Sequence, residues 1–189
     1  IFPLKQEIRA YVESGQYERD ITAIAQQAQA WLEKRAAQGG GRLAVVFDLD
    51  ETLISNWPEI SGQDLGYVAA VWAAWVAAGE APAIAPVREV YRTARRLGVD
   101  VIFLTGRRER DRAGTEKNLQ AMGCGEYTAL VFKPDDSKET TGAFKLAERK
   151  RLAAEGRVIV ANLGDQESDF AGGYAERTFR LPDPFYLTP

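Results

Sequence analysis

The stretch Val45-Val46-Phe47-Asp48-Leu49-Asp50-Glu51-Thr52-Leu53 decides the fold expected of this chain. Its first three residues are apolar, as in a buried β-strand, and two aspartates two positions apart follow at once. Carboxylates at the end of a buried strand lie at the rim of a sheet, where open α/β folds bind ligands. Carboxylates so close together repel each other and need a cation, a shared proton or solvent. A metal-assisted phosphoryl-transfer site would use both of them, one as nucleophile and one as acid and base.

Strands and helices alternate along the rest of the chain, which predicts an α/β fold with a parallel sheet and right-handed crossovers. Before the sheet, a helical stripe of apolar residues ends at three glycines, 39–41, and predicts an N-terminal helical segment packed on the core. The stripe consists of Ile21, Ile24, Ala25, Ala28 and Leu32. The predicted strands are 43–47, 99–104, 129–132, 158–161 and a weak one at 178–181, and the clearest helices between them are 111–122 and 141–154.

The connection between the first two strands is too long for a simple crossover. It contains Trp57, Trp72 and Trp75 and predicts one helix over 65–78 and a second that begins after Pro86. Because this insert follows the first strand, we expect it to cover the carboxyl end of that strand as a cap. Each of the three tryptophans is more often a core residue than a platform for a ligand.

Composition narrows the possible chemistry. Of the 189 residues, 46% are hydrophobic and 27% charged, and the net charge of −3 offers no basic face to a nucleic acid polymer or an anionic membrane. The absence of histidine excludes Ser-His-Asp and Cys-His catalysis and histidine zinc sites. The one cysteine, Cys124, excludes an internal disulfide. A metal would therefore have oxygen ligands, which points to Mg²⁺.

No transmembrane run or signal peptide is visible in the chain, which begins at Ile1 and so suits a processed or a trimmed protein. The sequence does not indicate an oligomeric state.

Polar residues follow each of the first four predicted strands and would meet at one edge of the sheet. Each set also has a plain structural interpretation. The pairs Asp48 with Asp50 and Asp165 with Asp169 could be helix caps, and 105–107 could be a turn that only needs its glycine. Lys145 and Arg149 could lie on a solvated helix face, and Arg107-Arg108 is expected to be surface charge. The sets are Asp48 and Asp50; Thr105, Gly106 and Arg107; Lys133, with Lys145 and Arg149 on the next helix; and 164–169.

Taken together, these motifs resemble the haloacid dehalogenase (HAD) superfamily phosphatases, in the class C, subfamily IIIB acid phosphatase branch that is related to plant vegetative storage proteins. The matching stretches, in the order of the family, are 47–52, 103–107, 115–119, 144–149 and 164–169. The resemblance implies a three-layer, Rossmann-like HAD core at 43–54 and 98–189, a helical cap insert at 55–97 and the N-terminal segment at 1–42.

The resemblance also implies a role for each matching residue. Asp48 would attack phosphorus, and Asp50 would protonate the leaving alcohol and then activate water, which requires a raised pKa at Asp50. Mg²⁺ would be held by the carboxylate of Asp48, by the backbone carbonyl of Asp50 and by Asp165, and Asp169 would support it directly or through water. Thr105, Gly106 and Lys145 would hold the phosphoryl oxygens.

The expected function is that of a magnesium-dependent phosphomonoesterase acting on small phosphate esters, with nucleoside monophosphates as the candidate substrates. The core would set the chemistry and the cap the specificity, with Asn56 and Trp57 as the expected cap contacts to the substrate. A non-catalytic storage or binding protein and a phosphotransferase to alcohols are the alternatives. A secreted or periplasmic location is expected from the family, with the cytoplasm left open.

Overall fold

The stretch around Asp48 begins with the central strand of a five-stranded parallel sheet. In the computed structural model, which describes residues 2–187, β1 (Arg42–Phe47) pairs with β2 (Asp100–Arg108) on one side and β4 (Arg157–Gly164) on the other. The outer strands β3 (Ala129–Lys133) and β5 (Thr178–Arg180) complete the order β3-β2-β1-β4-β5. The order reverses between β1 and β4, and such a switch point opens a crevice beyond the carboxyl ends of the two strands.

Helices cover both faces of the sheet, which confirms the predicted three-layer α/β fold. Because successive strand residues point to opposite faces, Val45 and Phe47 join one apolar core while Ala44 and Val46 join the other. Helices α2 and α5 pack on the first face and α7 on the second. The helices are α1 (Phe2–Glu13), α2 (Gln16–Ala37), α3 (Trp57–Gly62), α4 (Ala69–Ala78), α5 (Ala85–Arg96), α6 (Arg112–Ala121) and α7 (Thr141–Ala154), with 3₁₀ turns at Glu109–Asp111 and Glu167–Asp169.

Two strands extend further than their apolar runs predict. β2 continues to Arg108, so the segment 105–107 is the end of a strand instead of a turn after it. β4 likewise continues to Gly164 and delivers Asp165 directly to the sheet edge. In the N-terminal segment, Gly15 has a φ of 75° and divides the helical region into α1 and α2.

The long insert leaves and rejoins the core at a narrow base. Ser55 donates its backbone N–H to Pro82, and Ile84 donates to Leu53, so residues 53–55 and 82–84 close the insert. Helix α5 follows this closure and packs on α2 and β2 as an ordinary crossover helix. The predicted cap at 55–97 includes this crossover helix; we propose that the cap ends at residue 84 and that its helices are α3 and α4.

Within residues 2–187, none of the helices has the length and apolar character needed to cross a bilayer.

The cap is anchored where α4 crosses α6 at Gly114. An added Cβ at Gly114 would overlap the backbone carbonyl of Val76. In a helix, alanine is normally more favourable than glycine by about 1 kcal/mol. Gly114→Ala therefore tests whether this gain or the overlap of the added Cβ with Val76 dominates. We expect Gly114→Ala to destabilise the protein by about 1–3 kcal/mol because the two helices must separate.

Gly62→Ala is the matched control, because a Cβ added at that helical glycine would meet no neighbouring heavy atom within 4 Å. Denaturant unfolding of both variants would decide the point, and a Gly114→Ala protein as stable as Gly62→Ala would refute the close crossing.

Candidate active site

A cavity of about 420 Å³ lies at the carboxyl edge of the sheet, beneath the cap. The ends of β1, β2 and β4 and the first turns of α7 contribute its polar floor, which is where the switch point predicts a ligand crevice. The floor residues are Asp48, Asp50, Gly106, Arg107, Thr141, Lys145 and Asp165.

Asp48 and Lys145 form a buried ion pair at the centre of the floor. Lys145 Nζ donates to Asp48 Oδ1 at 2.5 Å and also to Asp169 Oδ1. Burial raises the pKa of Asp48 to about 7 although Lys145 opposes the shift. Burial disfavours the ammonium, but the two carboxylates outweigh it and raise the pKa of Lys145. Lys145 is therefore a buried cation and not part of a solvated helix face.

Asp50 is paired with Arg107, which corrects two expectations. The Arg107 side chain is only 3% exposed, and its Nη2 donates to Asp50 Oδ1 at 2.6 Å while its Nε donates to Oδ2 at 3.0 Å. Burial alone would raise the pKa of Asp50, but the charge and hydrogen bonds of Arg107 lower it below the ordinary value. Arg107 is thus a site residue and not surface charge, and Asp50 is ionised in the free protein.

Asn56 lies behind Asp50 and does not line the cavity. Its Nδ2 donates to Asp50 Oδ1 at 2.8 Å and to Glu51 Oε2 at 3.0 Å, while its Oδ1 accepts from Trp75 Nε1 at 2.8 Å. Glu51 also accepts from the hydroxyl of Tyr186 at 2.7 Å. The expected substrate contact of Asn56 is therefore replaced by a positioning role that connects helix α4 with Asp50.

The carboxylates of Asp48, Asp165 and Asp169 are buried and each offers an oxygen within 4.8 Å of the others. Burial, together with the charges of Asp48 and Asp169, raises the pKa of Asp165 to about 10. Such a concentration of oxygen ligands and negative charge fits a hard divalent cation. The carboxylate of Asp50 does not belong to this cluster, because it faces Arg107.

Asp169 contributes mainly by shaping the loop after β4. Its Oδ2 accepts the backbone N–H groups of Asp165 at 3.0 Å and Gln166 at 2.9 Å, and its Oδ1 accepts from Lys145. Arg149, fully buried on α7, donates to the backbone carbonyls of Asp169, Ala171 and Gly173. The loop that carries Asp165 is therefore fixed from both sides.

The predicted phosphate ligands from β2 differ in their access to the cavity. Gly106 lines it, and a Cβ added there would come within 3.1 Å of Thr141 Cγ2. Thr105 is fully buried, is not among the lining residues, and its Oγ1 accepts the backbone N–H of Arg107 at 3.0 Å. Lys133 does not line the cavity either, and it donates to the carbonyl of Glu139.

Aromatic side chains form the upper walls. Tyr67 and Trp72 come from the cap, and Phe185 and Tyr186 from the C-terminal segment. Trp57 is not a lining residue; it stacks behind Phe185 with ring centroids 5.1 Å apart. The expected contact of Trp57 with substrate is thus corrected to a supporting contact.

Sequence reasoning missed the aromatic residues at the C-terminus because no local pattern links residue 186 with residue 51. Arg107 carried a detectable signal: it follows Thr105-Gly106 at the same strand end as the expected phosphate ligands.

Comparisons of the sequence and of the fold with known proteins agree with one another. The sequence model of the HAD superfamily, subfamily IIIB (acid phosphatase) matches residues 2–189. Acid phosphatase 1 of Solanum lycopersicum is 33% identical over 184 residues, covering 95% of this chain and 72% of the tomato protein. Vegetative storage protein 1 of Arabidopsis thaliana is 31% identical over 191 residues, with 96% and 70% coverage. The class C acid phosphatase of Bacillus anthracis shares the fold, with a TM-score of 0.81, 23% identity, and coverage of 97% of this chain and 86% of that one.

The hydrogen bond from Trp75 can be tested by stability. In Trp75→Phe the ring remains but Asn56 Oδ1 loses its donor, and a fully buried acceptor without a partner costs about 1–3 kcal/mol. Trp72→Phe is the matched control: Trp72 is also half-buried, and its indole makes no hydrogen bond to residues 2–187. We expect the free energy of unfolding to fall clearly more for Trp75→Phe, and equal losses would contradict the assignment.

Proposed function

Because the chain belongs to subfamily IIIB of the HAD superfamily, the acid phosphatases, we propose that it hydrolyses small phosphate monoesters through an aspartyl-phosphate on Asp48. The observation that carries the proposal is the buried group of Asp48, Lys145 and Asp165 at the base of a cavity open to a ligand. Phosphomonoesterase activity is the property of the family; the residue roles, the metal and the substrate are the proposal.

In the first step a carboxylate oxygen of Asp48 attacks phosphorus, and the bond from phosphorus to the ester oxygen breaks. Lys145 offsets the repulsion between the carboxylate and the phosphoryl group, because it already contacts Asp48 Oδ1. The departing alkoxide takes a proton from Asp50. Arg107 holds Asp50 ionised in the free protein. Asp50 must therefore take this proton from solvent or from a monoprotonated phosphate ester after substrate enters, when the phosphoryl group can compete for the Arg107 guanidinium.

In the second step Asp50 accepts a proton from water, and the resulting hydroxide attacks phosphorus. The bond between Asp48 and phosphorus breaks, which releases phosphate and restores the carboxylate. The ion pair with Arg107 and the hydrogen bond from Asn56 favour the ionised form that a base requires.

Mg²⁺ is the cation we propose for the carboxylate cluster, with Asp48 and Asp165 as its side-chain ligands. Asp169 supports this site through Lys145 and the backbone N–H groups of the loop. When bound, the cation would neutralise phosphoryl charge in the transition state.

A nucleoside monophosphate is the proposed substrate. The cavity of about 420 Å³ falls in the range of small-ligand pockets, and Tyr67, Trp72 and Phe185 offer ring faces on which a base could stack. The presence of both Asp48 and Asp50 supports an enzyme over a storage protein. Transfer of the phosphoryl group to an alcohol is an alternative fate of the same intermediate, which added acceptor alcohols would reveal. Secretion or a periplasmic location stays a prediction.

Asp48→Asn and Asp50→Asn separate the two chemical roles. With an activated aryl phosphate, whose leaving group needs no proton, Asp50→Asn should still release a burst of phenol and accumulate phosphorylated protein. Asp48→Asn should give neither, because an amide cannot attack phosphorus, and its turnover should fall by about 10⁴-fold or more. Rapid-quench kinetics and intact-protein mass measurement provide the readouts. Wild-type turnover by Asp48→Asn would exclude Asp48 as the nucleophile.

Removal of divalent cations should abolish turnover, and Mg²⁺ should restore it. Binding to the folded protein should also raise the melting temperature of the wild type, by linkage. Asp165→Asn should lose both responses, whereas Glu80→Gln, an exposed cap position, should keep them. Full activity of a verified metal-free protein would rule out the proposed cofactor.

A further inference from the structure

Glu59 of helix α3 is a buried acid that the proposed chemistry does not use. Its side chain lines the cavity, the residue is only 8% exposed, and neither carboxylate oxygen accepts a hydrogen bond from residues 2–187, with Oε1 the more deeply buried of the two. Glu51 provides the contrast, because its two oxygens accept hydrogen bonds from Asn56 and Tyr186. Glu59 therefore lacks the internal partners that a buried structural carboxylate normally has.

An unpartnered carboxylate is unfavourable for folding. Burial raises the pKa of Glu59, since its surroundings disfavour the charged form. The other cap residues that line the cavity are largely apolar, namely Ile60, Leu65, Tyr67 and Trp72. A leucine or methionine would suit this wall better for stability alone. The acid is thus best explained by a group that enters the cavity.

The charge of Glu59 limits what that group can be. An ionised carboxylate only accepts hydrogen bonds, and it repels a phosphoryl group. The phosphoryl end of a substrate belongs at Asp48 and Lys145 on the floor of the cavity, whereas Glu59 lies on the cap. The partner of Glu59 must therefore be a hydrogen-bond donor on the alcohol part of the ester.

We propose that Glu59 binds a donor group, a hydroxyl of a sugar or an amine, on the alcohol part of the substrate, and so selects polar phosphate esters over apolar ones. This inference rests on the proposed phosphatase function of the same cavity. Aromatic residues line the same cavity as Glu59 and could stack on a base. The sugar hydroxyls of a nucleoside monophosphate are therefore the donors that fit this cavity best. A substrate without the donor leaves the buried acid unpaired, which is how such a site discriminates.

Two pairs of substrates test the proposal. The first pair is adenosine 5′-monophosphate and its 2′,3′-dideoxy analogue, and the second is 2-aminoethyl phosphate and propyl phosphate. For the wild type, kcat/KM should favour the donor-bearing member of a pair. In Glu59→Met this preference should fall about ten- to a hundredfold, because the acceptor is gone. If Glu59→Met loses the preference only in the nucleotide pair, the donor that binds Glu59 is a sugar hydroxyl. If it loses the preference only in the second pair, the donor is an amine.

Control variants separate this role from a structural one. Glu80→Met removes an exposed cap acid and should leave both preferences unchanged. Glu59→Met should have a melting temperature equal to or above that of the wild type, since no internal hydrogen bond is lost. If Glu59→Met does not fold, Glu59→Gln, which keeps the size and a weaker acceptor, should reduce the preference partially.

The outcomes distinguish this inference from the proposed function. Unchanged preferences in an active Glu59→Met or Glu59→Gln protein would show that Glu59 meets only water, and the inference would fail. A wild type that hydrolyses none of the four esters, with Mg²⁺ present, would instead overturn the proposed function.

Discussion

The salt bridges of Lys145 are the interaction on which the rest of the site depends. Three aspartates meet at the sheet edge, and their mutual repulsion in a buried environment would disfavour the ionised forms that phosphoryl transfer requires. Lys145 places one positive charge between Asp48 and Asp169 and so allows both to remain close. Burial raises the pKa of Asp165, and the charges of Asp48 and Asp169, which a single lysine does not fully offset, raise it further. The same excess of negative charge fits a divalent cation. The chain supplies one cation, Lys145, to the cluster of Asp48, Asp165 and Asp169, and the remaining negative charge is what a divalent cation could neutralise.

The position of Lys145 follows from the packing of helix α7. Phe144, its neighbour in sequence, enters the apolar core between α7 and the sheet, and Leu152 enters it two turns later. These contacts fix the height and rotation of the helix, and Arg149 then ties the loop after β4 to the same helix face. Helix α7 thus carries the core contacts, the anchor of the loop after β4 and the cation that pairs with Asp48.

The fold and part of the site were predictable from the sequence. Apolar runs ending in polar residues identify the strands and their carboxyl ends, and parallel pairing then brings Asp48, Lys145 and Asp165 to one edge. Side-chain pairing was not predictable, because it depends on distances across the fold. Arg107 looked like surface charge until the end of β2 brought it to Asp50, and the resulting ion pair reverses the expected pKa shift of Asp50. The hydrogen bond from Tyr186 to Glu51 joins residues 135 positions apart in the sequence, and no local sequence pattern predicts it.

We expected the core to set the chemistry and the cap to set the specificity, and the hydrogen bonds around Asn56 change this expectation. If the cap only selected substrates, its side chains would line the cavity and make no contact with the loop after β1 that carries Asp50. Trp75 of helix α4 instead donates a hydrogen bond to the side-chain amide of Asn56, which in turn donates to Asp50, so the cap helps to orient the carboxylate that we propose as acid and base. The C-terminal segment does the same through Tyr186 and Glu51. Two elements that form the cavity walls therefore also position Asp50, the group that we propose as proton donor, and under that proposal a change in wall geometry alters the rate as well as the specificity.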